Sequence, residues 1–202
     1  MAPLTLAVRL PPRRADRAAA HLSSTLPRMN ALTSHASHRD PGFQQVLTIA
    51  RRYCERIEAA GPAAPAWLAE VAELLPRLHA AMNSVQEQAH LGTPAVGAVD
   101  LDARFDLYSR LRGLLADRDG YFLEFDRAQE GPDARSGSLA DDLTDIYCEL
   151  KAGLRVFEVD PQRALETWFL GYEGHWSRHL VDAERHLLML AAADRLGQPP
   201  GV

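Results

Sequence analysis

The sequence predicts an all-α protein, a bundle of five to six mostly antiparallel helices behind a disordered N-terminal tail. Three observations lead there. From Phe43 onward apolar residues recur at i, i+3, i+4 and i+7, the spacing that places one buried stripe along a helix. No stretch alternates with the period of two that a half-buried strand requires. Connections between the main stripes are short or rich in Gly, Pro and Asp, which brings successive helices back against one another.

Composition sets the limits. The 202 residues suffice for one domain with a substantial core, and 47% hydrophobic with 24% charged residues is ordinary for a soluble globular chain. Residues 1–28 carry five arginines against one acid, a surplus of four, so from a total of −5 the rest of the chain is near −9. An acidic body argues against nucleic-acid binding, whose affinity comes largely from Lys and Arg on phosphates. Lys151 is the only lysine, a bias of coding composition. Cys54 and Cys148 stand 94 positions apart inside helical patterns; two such thiols make no disulfide framework and suit buried free cysteines. No run approaches the ~20 apolar residues of a membrane span. The expected location is cytoplasmic.

Residues 1–38 hold four prolines, scattered Arg and Ser, and no helical stripe. They suit a disordered extension, a transit-like targeting segment, or an over-extended start with Met29 as the true first residue. The expected organisation is therefore 1–38 outside the fold, a single helical domain over 39–196, and a tail over 197–202.

The elements follow in order. Asp40-Pro41-Gly42 opens a first helix with Phe43, Val46, Leu47, Ala50, Tyr53, Cys54 and Ile57 inward. Gly61-Pro62 closes it, with Gly61 expected in the left-handed conformation. A second helix over 65–89 carries Trp67, Leu68, Val71, Leu74, Leu75, Leu78 and Met82, with a kink or break expected at Pro76. Residues 90–99 are loop. Asp100 caps a third helix with Leu101, Phe105, Tyr108, Leu111, Leu114 and Leu115. Tyr121 to Asp126 is a helical turn or an extended piece over the core, and 129–137 is loop. Ser138 and Asp141 resemble a capping box for a fourth helix with Leu139, Leu143, Ile146, Tyr147, Leu150, Leu154 and Phe157 on one face. Asp160-Pro161 ends that helix and starts a fifth pattern reaching Leu196. Thirty-six residues make ~54 Å of helix, and Gly171 and Gly174 mark a kink or break within it.

Chemistry concentrates on the last pattern. Phosphate loops, dinucleotide fingerprints, a Gly-x-Ser-x-Gly elbow, His-Glu-x-x-His and Cys-x-x-Cys are all missing, so no cofactor is implied by motif. His175, His179, Asp182 and His186 lie at i, i+4, i+7 and i+11, one stripe of one helix. Imidazoles four apart can share a divalent metal. Asp142 and Asp145, on the polar flank of the fourth helix, would supply oxygen ligands if that helix packs alongside. Glu173 would be the general base for a metal-bound water. A packing account competes: histidines beside Trp168, Tyr172 and Trp176 hydrogen-bond Asp142 or Asp145 and fix two helices, with His179 and His186 exposed, because buried polar groups need partners whatever their chemistry. Convergence of imidazole nitrogens and carboxylate oxygens within ~2.0–2.2 Å of one point separates the two accounts.

Two stretches carry a resemblance. Asp141-Asp142-Leu-Thr-Asp145-Ile-Tyr147-x-x-Leu150-Lys151-x-Gly153-Leu154, with Trp168-x-x-x-Tyr172-Glu173-x-His175-Trp176-x-x-His179 after it, resembles the bacterial domain-of-unknown-function family numbered 5063. Weaker agreement reaches back to Tyr53-Cys54-x-x-Ile57-Glu58, so the likeness spans about Phe43 to Leu190. The resemblance implies a small bacterial all-helical protein and transfers no site residue; residues 1–38 fall outside it. The leading expectation is a cytosolic module that binds a protein partner or itself, without catalysis, nucleic acid or membrane. The alternative is a metal-dependent, hydrolase-like enzyme built on His175, His179, Asp142, Asp145 and Glu173.

Overall fold

The computed structural model describes residues 40–64, 66–85, 100–122 and 137–197. The elements are α1 (Pro41–Ala59), α2 (Trp67–Val85), α3 (Leu101–Leu115), a 3-10 turn (Ala116–Arg118), β1 (Gly120–Tyr121), β2 (Gly137–Ser138), α4 (Leu139–Phe157), α5 (Pro161–Gly171), a π turn (Tyr172–Trp176) and α6 (Ser177–Ala192). All of them fall within the unit Ser34–Val202. The bundle is all-helical apart from the β1–β2 pair, as the periodicity requires. The expectations for residues 1–38, 86–99, 123–136 and 198–202 lie outside the described residues.

Local chemistry starts the helices. Asp40 accepts from the Gly42 and Phe43 amides at 2.9 and 3.2 Å, Asp100 from Ala103 at 3.1 Å, and Asp160 from Arg163 at 3.3 Å. Each satisfies an amide that has no partner within its own helix. Ser138 caps α4 through the Asp141 amide at 3.3 Å. The other half of the expected capping box does not form, because Asp141 pairs with Arg104 instead. Asp119 takes over the task. Its carboxylate accepts from the Ala140 amide at 2.8 Å and from the Ser138 hydroxyl at 2.9 Å, and its carbonyl accepts from the Leu139 amide at 2.9 Å.

Several sequence expectations are corrected. Of the kink or break expected at Pro76, the break does not occur, since α2 continues across it; one lost hydrogen bond costs less than withdrawing Leu74, Leu75 and Leu78, which are all buried. Gly61 is not left-handed; α1 ends through Ala60, whose N–H bonds the Ile57 carbonyl. Positive φ at helix ends falls instead on Ala116, at φ 51° after α3, and on Asp194, at φ 55° after α6. Only Leu111 and Leu115 of the α3 stripe are buried, while Leu101 and Phe105 are 72% and 65% exposed. β1 and β2 pair antiparallel over two residues each, too few to leave a periodic trace in the sequence.

The core is one apolar cluster drawn from every long helix. Two tyrosine and tryptophan contacts fix α4 within it: the Tyr53 hydroxyl donates to the Leu143 carbonyl at 2.9 Å, and Trp168 Nε1 donates to the Leu150 carbonyl at 3.1 Å. Gly153 makes the second possible, since a Cβ there would stand 2.0 Å from Trp168 Nε1. α4 thereby lies against α5 and α6, with Glu149 meeting the π turn and Asp142 and Asp145 meeting α6. No helix among the described residues is long and apolar enough to cross a membrane.

Candidate functional site

The glycines at 171 and 174 do not break the last helix. It passes from α5 to α6 through one π turn, in which the Ser177 N–H bonds the Tyr172 carbonyl five residues back. Both flanks bury apolar faces in the same core, Trp168 and Phe169 before the turn and Trp176 and Leu180 after it. A widened turn keeps both faces buried, whereas a break would expose one. Such single turns recur at functional sites, and this one carries His175.

α4 and the π turn with α6 meet through charged and polar side chains. His179 Nδ1 donates to Asp142 Oδ1 at 2.9 Å, and its Nε2 stands 3.3 Å from Asp145 Oδ2. That Nε2 is buried and makes no hydrogen bond. His175 Nδ1 donates to Glu149 Oε1 at 3.2 Å, and the two imidazole rings sit 5.1 Å apart at 67°. Both rings thus spend Nδ1 on a carboxylate and leave Nε2, the arrangement by which a second carboxylate fixes the tautomer and aim of a metal-binding histidine. Asp145 is held from the other side, where Arg104 Nε and Nη2 donate to Oδ1 at 2.9 and 2.5 Å. Its Oδ2 is left toward His179.

Asp145, His175 and His179 each offer a ligand atom, all within 4.8 Å of one another. Donors on a tetrahedral metal at 2.0–2.2 Å lie about 3.3 Å apart, so closing on an ion requires side-chain shifts of the order of 1 Å. Asp145 is buried and the two histidines partly so, with the His175 side chain 41% exposed. The group therefore has an open edge.

The electrostatics follow from burial and pairing. The hydrogen bond to Asp142 raises the pKa of His179 above its ordinary value, against the opposing pull of desolvation. Burial raises that of Asp142, although His179 and Tyr121 pull it back. His186, seven residues on, is lowered by burial. Its Nε2 donates to the Arg118 carbonyl at 2.7 Å, and its ring stacks on Tyr121 at 4.8 Å.

Of the residues picked from sequence, Asp142, Asp145, His175 and His179 come together. Glu173 is exposed and outside the group. Asp182 stands 3.8 Å from Arg185. His179 and His186 are not exposed, as the packing account had them: His186 is 8% exposed and the His179 side chain 14%. Three participants were missed. Glu149 carried a signal, since 142, 145 and 149 make one stripe on α4. Gly171 leaves room for it, because a Cβ there would meet Glu149 Oε2 at 2.7 Å. Arg104 and Tyr121 reach the site from 41 and 21 residues away and left no local pattern.

Comparison with known proteins adds the following. A family model described as a domain of unknown function, DUF5063, matches residues 38–193. The crystal structure of protein BF1032 from Bacteroides fragilis is similar with a TM-score of 0.62 and 19% identity, over 76% of this chain and 97% of that one. Likeness at that identity concerns the fold alone. No curated protein matches the chain.

Proposed function

We propose that this chain, which belongs to the DUF5063 family, binds a divalent transition metal between α4 and the π turn with α6. Asp145, His175 and His179 are the ligands; Asp142 and Glu149 hold the two imidazoles by Nδ1. The observation that carries this reading is the buried Nε2 of His179, which has no hydrogen bond and stands 3.3 Å from Asp145 Oδ2. That contact is an ion pair only when the imidazole is protonated, and a cation between the two groups would satisfy both when it is neutral. Two nitrogens and one oxygen suit zinc, iron or manganese, with further positions for water at the open edge. For hydrolytic use of such a water, the base expected at Glu173 lies outside the group, and Glu149, hydrogen-bonded to the His175 ring, is the carboxylate beside it in the fold.

The test is metal analysis of protein purified without a polyhistidine tag. Near-stoichiometric zinc, manganese or iron is expected, lost in His175→Ala, with the melting temperatures of the metal-free variant and metal-free parent close to each other. No metal after reconstitution, together with a lowered melting temperature for His175→Ala, would overturn the reading in favour of packing.

A protein-docking module is the second reading, and one feature favours it. α6 has an outer apolar stripe, with Val181, Leu188 and Met189 at 48%, 72% and 58% exposure. Beside it Ala72, Pro76, Val181, Leu187, Leu188 and Ala191 line an open groove of about 480 Å³. Sedimentation of the purified protein tests self-association there: Leu188→Glu leaves the sedimentation coefficient unchanged unless this face pairs.

A further inference from the structure

Tyr121 belongs to neither helix of the seam, yet its hydroxyl donates to Asp142 Oδ2 at 2.5 Å. The other oxygen of that carboxylate receives His179 Nδ1 at 2.9 Å. A single chain of contacts therefore runs from Tyr121 through Asp142 to His179 and on to Asp145. Both oxygens of Asp142 are engaged, so the plane of the carboxylate is fixed by Tyr121 as much as by the histidine. A carboxylate with one oxygen unengaged can rotate about its last bond and carry the imidazole with it; one bonded at both oxygens cannot.

The ring of Tyr121 is itself held firmly. It is 7% exposed, stacks on His186 at 4.8 Å and 30°, and lies 5.8 Å from the Arg185 guanidinium. His186 is anchored in turn by the Arg118 carbonyl. On its other side the ring covers Gly137, where a Cβ would stand 2.1 Å from Tyr121 Cε2. Tyr121 and Gly137 are partners in the β1–β2 register. The two-residue pair, too short to stabilise a sheet on its own, places this one ring. Burial alone would be served equally well by phenylalanine; the hydroxyl has a different use.

We infer that Tyr121 is a positioning residue for the metal site, orienting the His179 imidazole through Asp142; the inference rests on the metal reading above. Tyr121→Phe keeps the stack on His186 and the fit over Gly137 and deletes only the hydroxyl. Loss of such an outer partner typically weakens metal binding about 10–100-fold. That weakening is expected for zinc, measured by competition with a chromophoric chelator on the full chain, with the melting temperature of the metal-free variant close to that of the parent. With cobalt(II) as the probe, the visible absorption bands of the variant should shift in position or intensity, a readout that a packing role would leave alone. Gly137→Ala, which displaces the ring instead of trimming it, should weaken zinc binding in the same direction. Zinc affinity of Tyr121→Phe within twofold of the parent, with an unchanged cobalt(II) spectrum, overturns the inference and leaves the metal reading standing. A parent protein that takes up neither zinc nor cobalt(II) overturns both.

Discussion

The faces that the neighbouring helices α1 and α2 bury carry Val46, Leu47, Ala50 and Tyr53 in the first and Leu68, Val71, Leu75 and Leu78 in the second. Between α4 and α6 comparable depth is given to Asp142, Asp145 and His179, of which the two carboxylates are 5% and 7% exposed. The first seam gains free energy from every apolar surface it removes from water, about 25 cal/mol per Å². The second must first strip water from carboxylates and imidazoles, a cost of several kcal/mol for an ion, and recovers it only through good pairing. Replacing such buried pairs by apolar groups is often neutral or stabilising in other proteins. The α4–α6 seam therefore draws less of its stability from burial than the α1–α2 seam, which is the difference the proposed metal site requires.

The largest test of that contrast is Leu75→Ala. Leu75 is fully buried in α2, and truncating a leucine in such a site costs roughly 3 kcal/mol through lost transfer energy and the cavity left behind. The urea midpoint should fall accordingly, while metal loading at saturation is unchanged. A loss below about 1 kcal/mol would mean that the apolar half does not hold the bundle.

His179→Leu attacks the other half. Asp142 would keep the Tyr121 hydroxyl and Asp145 the Arg104 guanidinium, so neither carboxylate is stranded, and leucine adds apolar burial. The metal-free variant should lose only about 1 kcal/mol, less than Leu75→Ala, while zinc uptake disappears. If its urea midpoint falls as far as that of Leu75→Ala, the polar seam is a structural one and the contrast collapses.

The same contrast explains what could be seen in the sequence. Helix stripes and caps are local, so α1, α2, α4 and the caps Asp40, Asp100, Ser138 and Asp160 were legible from spacing alone. His175 and His179, and Asp142 and Asp145, were legible for the same reason, each pair sharing a helix face. What closes the site is tertiary. Arg104 comes from α3, whose first turns bury almost nothing. Tyr121 sits on a strand of two residues, and no sequence rule ties it to Asp142. The π turn was also hidden: the glycines signalled weakness in the helix, but whether a weak place breaks or widens depends on what its flanks bury. Gly171 has a packing partner in Glu149, while Gly174 faces open space.

The smallest effect separates two histidines on one helix. His179 has a raised pKa because it is hydrogen-bonded to Asp142, and that of His186 is lowered because burial disfavours its charged form, against the opposing pull of the Arg118 carbonyl. For His179 the stabilisation is fully present below the unfolded value of about 6.5 and is lost as pH rises through the higher folded value. For His186 it is present above about 6.5 and is lost as pH falls through the lower folded value. In metal-free protein the stability gap between the parent and His179→Gln should therefore narrow from about pH 6 to pH 9. The gap to His186→Gln should instead narrow as pH falls from about 7 toward 5. Melting temperatures across one buffer series measure both. Gaps that move in the same direction would show that the two imidazoles share one environment, and that Asp142 does not set His179 apart.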